Sequence, residues 1–346
     1  MMIVRPARTT DLPALEHMAA ASAAGVTGLT PHREYLFERI QQSIAALDSD
    51  VAWQSEESYT FMLEVDGQVV GTAGLIASAG FTQPFYSYRN ETLIHASAAL
   101  GVNNKIHALT LCNDLTGVTQ LCGFYLDPAF LDSAAADMLS RARLLFIASH
   151  PQRFSERLFD EMQGHTDAEG RYPFWEAIGK PFFKMEVEEV DRRIALGNKT
   201  FIAELMPTYP IYVPLLPDAA QQAMGQIHPD AEVPFAILMD EGFEADDYID
   251  AIDGAPTLTA KTHWVRSIMH SRIAQLHIID NRPAGTETYL ICNQRTSQFR
   301  AVLADVLWHG DEVWVSPDTA QALACEPGDS VRLTPFTPVV GQGEQA

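Results

Sequence analysis

The sequence predicts a mixed α/β fold, a sheet covered by helices, followed by a small β-barrel towards the C-terminus. Three observations predict it. Apolar residues recur at helical spacing through Leu12, Leu15 and Met18 and then alternate through "YTFMLEVDGQVVGTAGLIA". The run "FYLDPAFLDSAAADMLSRARLLF", Phe124 to Phe146, passes from a short buried strand through a turn into an amphipathic helix. After Met269 the chain becomes strand-rich, in "IAQLHII", "TYLICN" and "FRAVLADVLWHGDEVWVS". At 346 residues there is chain enough for more than one core. The patterns divide it into units 1–190, 191–270 and 271–337, with a flexible tail at 338–346.

In order, "MIVRPA" is a short strand ending at Pro6, after which Thr10 or Asp11 is placed to cap a helix through Ala21. A second amphipathic helix follows Pro31, with Tyr35, Leu36, Arg39, Ile40 and Ile44. A hairpin comes next, because Asp66-Gly67 readily takes the positive φ values of a tight type I′ turn. From Gly80 to Gly117 the pattern weakens and reads as an insertion with one or two strands. Leu121 to Leu126 is a strand, and Ala134 to Ser149 a helix with Met138, Leu139, Ala142, Leu145 and Phe146 on one buried stripe. Another strand falls around Leu158 to Gln163, then "YPFWEAIGKPFF" gives a helix stopped at Gly179. The prolines of "KTFIAELMPTYPIYVPLLP" mark an extended crossing into a second unit. There "FAILMDEGFEADDYIDAID" repeats helix, glycine, aromatic residue and strand, a hint of internal duplication. Finally a short helix precedes the Pro327-Gly328-Asp329 turn and a last strand.

Composition narrows the function. With 23 basic and 45 acidic residues the formal charge is −22, which repels nucleic-acid backbones and anionic membranes and suits a cationic small molecule or a basic protein patch. No apolar run approaches the roughly 18 residues of a membrane span. The N-terminus "MMIVRPARTTDLPAL" lacks a signal peptide's apolar core, so the expected location is the cytoplasm. The four cysteines form no C-x-x-C pair, and His263 and His270 have no nearby third ligand. Neither a resident metal nor a permanently bound cofactor is expected.

Strand, two helices, three or more strands and a phosphate-facing helix is the order of an acyl-CoA-dependent N-acyltransferase. Helix-terminal N–H groups suit a pyrophosphate. Attack of an amine on a thioester needs a neutral amine, an N–H donor for the oxyanion and a proton for the departing thiolate.

Four separated motifs, "FYSYRNETLIHAS", "FIAELMPTYPIY", "AMGQIHPD" and "EGFEADDYIDAIDGAPTL", together resemble the arginine N-succinyltransferase family, most closely the alpha-type chain of its two-subunit members. The resemblance runs from about Met2 to Arg272 and is compatible with the terminal barrel. It implies an N-acyltransferase (GNAT-like) fold and transfer of succinyl from succinyl-CoA to the α-amino group of L-arginine or L-ornithine. A homologous beta subunit is the implied partner.

The family's proton donor falls on His228, and its succinyl-CoA contact on Phe124, where a backbone N–H could bind the thioester carbonyl whatever the side chain. At the phosphate turn relatives resemble Arg-x-x-Gly-x-Gly, whereas this chain has Leu131, Ala134 and Ala136. Ala134 is the residue placed at the cofactor, and Asp132 or Ser133, as N-cap, would compete with a phosphate for the same amides. Arg89 is the candidate for the succinyl carboxylate, with an internal salt bridge as its alternative. Glu204, Asp250 and Asp253 are acids that could meet a guanidinium, and His95 is expected to pack beneath the insertion. "DGAP" replaces a family "DGGP", which puts the turn at Ala255 in question. Two functions follow: a catalytic succinyltransferase chain, or a non-catalytic structural or regulatory subunit that pairs with a more intact one.

Overall fold

A computed structural model describes residues 1–22, 26, 29–195, 200–280 and 285–339. Among the described residues, fifteen strands form one continuous sheet. Its first half contains β1 (Met2–Pro6), helices α1 (Leu12–Ala21) and α2 (Arg33–Asp48), and the hairpin β2 (Ser58–Val65) and β3 (Gln68–Ile76). Asp66 and Gly67 both have positive φ, +48° and +84°, as a type I′ turn requires. Asp11 precedes α1, but its carboxylate is taken by Arg5 at 2.7 Å and by the Arg8 N–H at 2.8 Å, so it does not cap α1 with its side chain. Leu12, Leu15, Met18, Leu36 and Ile40 bury against Met62, which fixes α1 and α2 on one face.

The expected insertion is a ribbon of two long strands, β4 (Ser87–Ser97) and β5 (Val102–Cys112). β6 (Thr119–Leu126), α3 (Ala134–Ser149) and β7 (Arg157–Glu161) follow. The α3 face carrying Met138, Leu139, Ala142, Leu145 and Phe146 packs with Phe61, Leu75 and Leu121 in the main core. Burying such a face is what stabilises a helix of this length.

Short helices α4 (Pro173–Ala177), α5 (Lys180–Phe183), α6 (Val187–Ala195) and α7 (Thr200–Leu205) surround Trp175 in a second core, leading to β8 (Ile211–Tyr212) and α8 (Asp218–Ala223). α9 (Glu232–Asp240), β9 (Glu244–Asp250), β10 (Pro256–Lys261) and α10 (Arg266–Met269) return the chain to the sheet.

Two expectations are corrected here. The packing does not follow a boundary at residue 190, because Val187, Val190 and Ile202 share the Trp175 core, and Ile237, Phe243, Leu258 and Val265 belong to the α3 core. Nor do the two helix–glycine motifs match. Both glycines follow the C-cap of a helix, but Gly242 after α9 has φ +92°, whereas Gly179 after α4 has φ −80° and leads directly into α5. Gly179 is required by packing, since a Cβ there would lie 2.0 Å from the Trp175 ring.

The last unit is a closed barrel. β11 (Arg272–Ile278), β12 (Glu287–Asn293), β13 (Ala301–His309), β14 (Glu312–Val315) and β15 (Ser330–Pro335) run in the order β12-β15-β11-β14-β13, and pairing of β12 with β13 closes the ring. α11 (Pro317–Leu323) contributes Ala320, Ala322 and Leu323 to the barrel's own core. Beyond β15 the chain does not become free at Pro338. Arg141 donates to the Thr337 carbonyl at 2.7 Å, and the Val339 N–H donates to the buried Asp137 carboxylate at 3.1 Å. The remainder of the expected tail, 340–346, lies outside the described residues.

A pH response is built into the junction of α3 with the barrel. His150 is buried against Phe146, and burial followed by the Arg153 charge pushes its imidazole down to about 4. A depressed folded value favours the neutral ring, so this contribution is intact above about pH 6.5 and is lost as pH falls towards 4. His150→Gln is expected to remove about 3 kcal/mol of acid destabilisation over that window. Thermal melting from pH 4 to 7.5 checks this, and parallel pH curves for the two proteins would refute it.

Candidate active site

The first component is a break in β6. Parallel pairing with β7 covers Thr119, Gln120 and Leu121 and stops there. On its other side β6 pairs with β3, where the register shifts between Gly74↔Cys122 and Thr72↔Tyr125, so that Gly123 and Phe124 together oppose Ala73. Gly123 has φ +61°, the left-handed conformation that such a bulge needs. Arg143 braces the bulge, donating to the carbonyls of Gly74 (3.5 Å) and Cys122 (3.4 Å). Phe124 therefore lies on the part of β6 beyond its last β7 pair. Its half-buried ring is under the Arg143 guanidinium, 5.7 Å away, which gives the side chain a packing role. Sequence reasoning selected Phe124 and passed over Gly123, although a glycine inside an apolar strand was the available signal.

The turn from β6 to α3 forms the second component. Asp127 accepts the Ala129 N–H at 2.9 Å, and Ser133, not Asp132, is the N-cap of α3. The Ser133 Oγ accepts the Ala135 N–H at 3.2 Å and donates to the Phe130 carbonyl at 2.7 Å. Ala134 begins the helix half-buried, whereas Ala135 and Ala136 are fully buried. The Ala136 methyl thus belongs to the α3 core and leaves the outer side of the turn open.

A cavity of about 610 Å³ is the third component. It lies between α1, α2, the sheet face carrying Ile76 and Gln120, and α6. Four carboxylates, Glu161, Glu188, Asp250 and Asp253, line it. The sequence pointed to Asp250 and Asp253. Glu161 and Glu188 were missed because only the fold places β7 and α6 at the same opening. Asp253 accepts N–H groups from Gly164 at 2.6 Å and Ala255 at 2.8 Å, and Asp250 accepts those of Ile252 at 2.5 Å and Asp253 at 3.0 Å. The "DGAP" turn tolerates its alanine, since positive φ falls on Gly254 (+74°) and Ala255 is packed at 0% exposure.

Like Phe124 and Ala134, His228 is not among the cavity's lining residues, but its backbone is linked to one of them, Asp253. Its N–H donates to the Gln163 carbonyl at 2.8 Å, and Ile227 bridges Gly164, whose N–H is bound by Asp253. The His228 Nδ1 accepts the Asp230 N–H at 3.2 Å. In the neutral ring that bond places the proton on Nε2; a proton donor to a thiolate needs the doubly protonated ring, whose Nδ1–H would face the Asp230 carboxylate 3.5 Å away. Burial and then the charges of Asp127 and Asp230 raise the Tyr125 phenol.

The fold does not bring every candidate here. Arg89 is not among the cavity's lining residues; on β4 it is held by Glu91 at 2.9 Å and Asp114 at 3.0 Å, the internal salt bridge that was its alternative. Glu204 is exposed on α7. His95 does not pack beneath the ribbon but is exposed on it, with its ring 5.9 Å from Tyr212. The cysteines are free thiols, and burial pushes Cys292 up to about 12 and Cys325 up to about 11, too high for a thiolate nucleophile at neutral pH.

Comparison with known proteins agrees over nearly the whole chain. The family model described as "Arginine N-succinyltransferase beta subunit" matches residues 2–267, and that of its C-terminal domain matches 272–335. The chain is 48% identical to arginine N-succinyltransferase subunit alpha of Pseudomonas aeruginosa, with 96% of this chain and 99% of that protein covered. Identity to the arginine N-succinyltransferase of Yersinia enterocolitica is 38%, covering 96% and 97%. The solved structure of arginine/ornithine succinyltransferase subunit AI from Pseudomonas aeruginosa matches with a TM-score of 0.87 at 45% identity, covering 97% of this chain and 98% of that one. Those names differ in subunit letter and share one activity. The chain belongs to the arginine N-succinyltransferase family.

Proposed function

We propose that this chain transfers succinyl from succinyl-CoA to the α-amino group of L-arginine or L-ornithine, a step of cytoplasmic arginine catabolism, on an N-acyltransferase-like frame. The observation that carries this reading is the position of His228. Backbone bonds to Gln163 and through Gly164 to Asp253 tie it to the carboxylate-lined cavity.

The cavity's carboxylates match a cationic side chain. The thioester would lie along β6 beyond Leu121, where a backbone N–H near Phe124 can donate to the carbonyl oxygen and to the oxyanion it becomes. The amine nitrogen forms the new C–N bond as the C–S bond breaks. As the imidazolium, His228 gives its Nε2 proton to the departing thiolate and becomes neutral, and the proton lost by the amine nitrogen restores the charged ring. The pyrophosphate would meet the turn at Ala134, using amides other than that of Ala135, already occupied by Ser133. Arg89 could receive the succinyl carboxylate only by exchanging Glu91 or Asp114.

The Ser133 contact favours one second reading. If the cap closes the turn to phosphate, this chain is the non-catalytic member of a hetero-oligomer and a homologous partner holds the CoA. Calorimetric titration of succinyl-CoA into the isolated chain separates the two. Saturable binding is expected; absence of binding, with binding restored in the assembled complex, would move the donor site to the partner.

A further inference from the structure

We propose that Arg39 holds a substrate carboxylate in the cavity, a role that rests on the acyl-transfer reading above. Arg39 projects from α2 and lines the cavity, yet its side chain belongs to a residue only 6% exposed. Its polar neighbours are the Tyr35 hydroxyl at 3.4 Å and the Cys122 Sγ at 3.8 Å. Among the described residues no carboxylate lies within 4.0 Å of it. The other buried arginines are provided for. Arg5 is paired with Asp11 and Glu64, and Arg141 with Asp137, Asp240 and Glu241. Arg143 and Arg153 donate to main-chain carbonyls. A buried guanidinium served only by a phenol and a thiol lacks the anion that normally offsets its desolvation.

The surroundings leave room for that anion. A Cβ at Gly74 would come within 3.0 Å of the Arg39 Nη2, so the glycine clears the wall beneath the guanidinium. The cavity's other arginine, Arg192, is already committed to Glu189 through two bonds of 2.9 Å. His32 uses its Nδ1 to cap α2. With Glu161, Glu188, Asp250 and Asp253 also on its wall, the cavity suits a ligand, or a pair of ligands, bearing both charges. Both substrates of the proposed reaction carry a carboxylate: the far end of the succinyl group and the α-carboxylate of the amino acid. A planar guanidinium binds either through two parallel N–H···O bonds.

The test uses Arg39→Met, which keeps the bulk and removes the charge, and Arg39→Lys, which keeps the charge without the fork. Each is assayed with succinyl-CoA against butyryl-CoA and with L-arginine against L-argininamide, in the assembled complex if activity requires one. Arg39→Met is expected to lower kcat/KM for the native pair by about 10²-fold, with partial recovery in Arg39→Lys. It should also melt no lower than the wild type, because no partner is stranded. Loss of the succinyl-over-butyryl preference assigns the contact to the donor; loss of the arginine-over-argininamide preference assigns it to the acceptor. Equal losses with all four compounds, or a lower melting temperature with both preferences intact, would overturn the proposal and make Arg39 structural. Should the wild type show no succinyl transfer, the proposed function itself fails. Titration of the same four compounds into wild type and Arg39→Met then still reads the preferences directly.

Discussion

His228→Ala is expected to lower kcat for succinyl transfer by about 10²–10⁴-fold, the range that a positioned general acid contributes. KM for succinyl-CoA should change little, because the proposed donor site lies along β6 and at the Ala134 turn, away from the His228 ring. The substitution is structurally mild. The His228 side chain is 21% exposed, and its loss removes one acceptor, that of the Asp230 N–H, at a cost of about 1 kcal/mol. The backbone bond from His228 to Gln163 survives, so the cavity and the end of β6 stay in register. Thiol release measured with the purified protein, or with the complex if activity needs a partner, decides the matter. Unchanged turnover in the complex would remove His228 from the chemistry and leave this chain as its scaffold.

Gly254→Ala is expected to be the more damaging change to the fold. At φ +74° an alanine pays about 1–2 kcal/mol for its conformation. Its Cβ would also lie 2.5 Å from the Phe174 Cγ, in a ring buried completely within the Trp175 core. Relief requires movement of that ring or of the turn, so a total of about 2–5 kcal/mol follows. Function should suffer with stability, since the Gly254 carbonyl accepts the Gly225 N–H and neighbouring Asp253 lines the cavity. Thermal denaturation should show a lower Tm, and steady-state kinetics a higher KM for arginine. A variant with wild-type Tm and KM would mean that the turn relaxes freely. Ala255→Gly, one residue later, should cost less, because it asks for no forbidden conformation.

Much of the fold was legible because local rules decided it. The α3 helix was read as Ala134–Ser149 and is found there, since its stripe, cap and small first turn agree. The Asp66-Gly67 hairpin was equally clear, as both residues tolerate positive φ. Where sequence reasoning went astray, packing had overruled a local sign. Gly179 does follow the end of α4, yet without the positive φ of a glycine stop, and its missing side chain makes room for Trp175. Pro338 and Val339 looked like the start of a free tail, yet Val339 is tied to Asp137, 202 residues earlier in the chain.

The site divides along the same line. By itself the sequence determined the family, through motifs whose order survives in any linear reading, and with it the choice of His228, Phe124, Arg89 and Ala134, with Asp250 and Asp253 as further candidates. Only the tertiary structure decided which of these residues share an opening. It joined Glu161 and Glu188 to the acids, left Arg89 between Glu91 and Asp114, and buried Arg39 without an anion. The reason is physical: a motif fixes neighbours along the chain, whereas charge pairing and desolvation depend on distances through space. Those distances are set by a sheet that joins residues far apart in sequence.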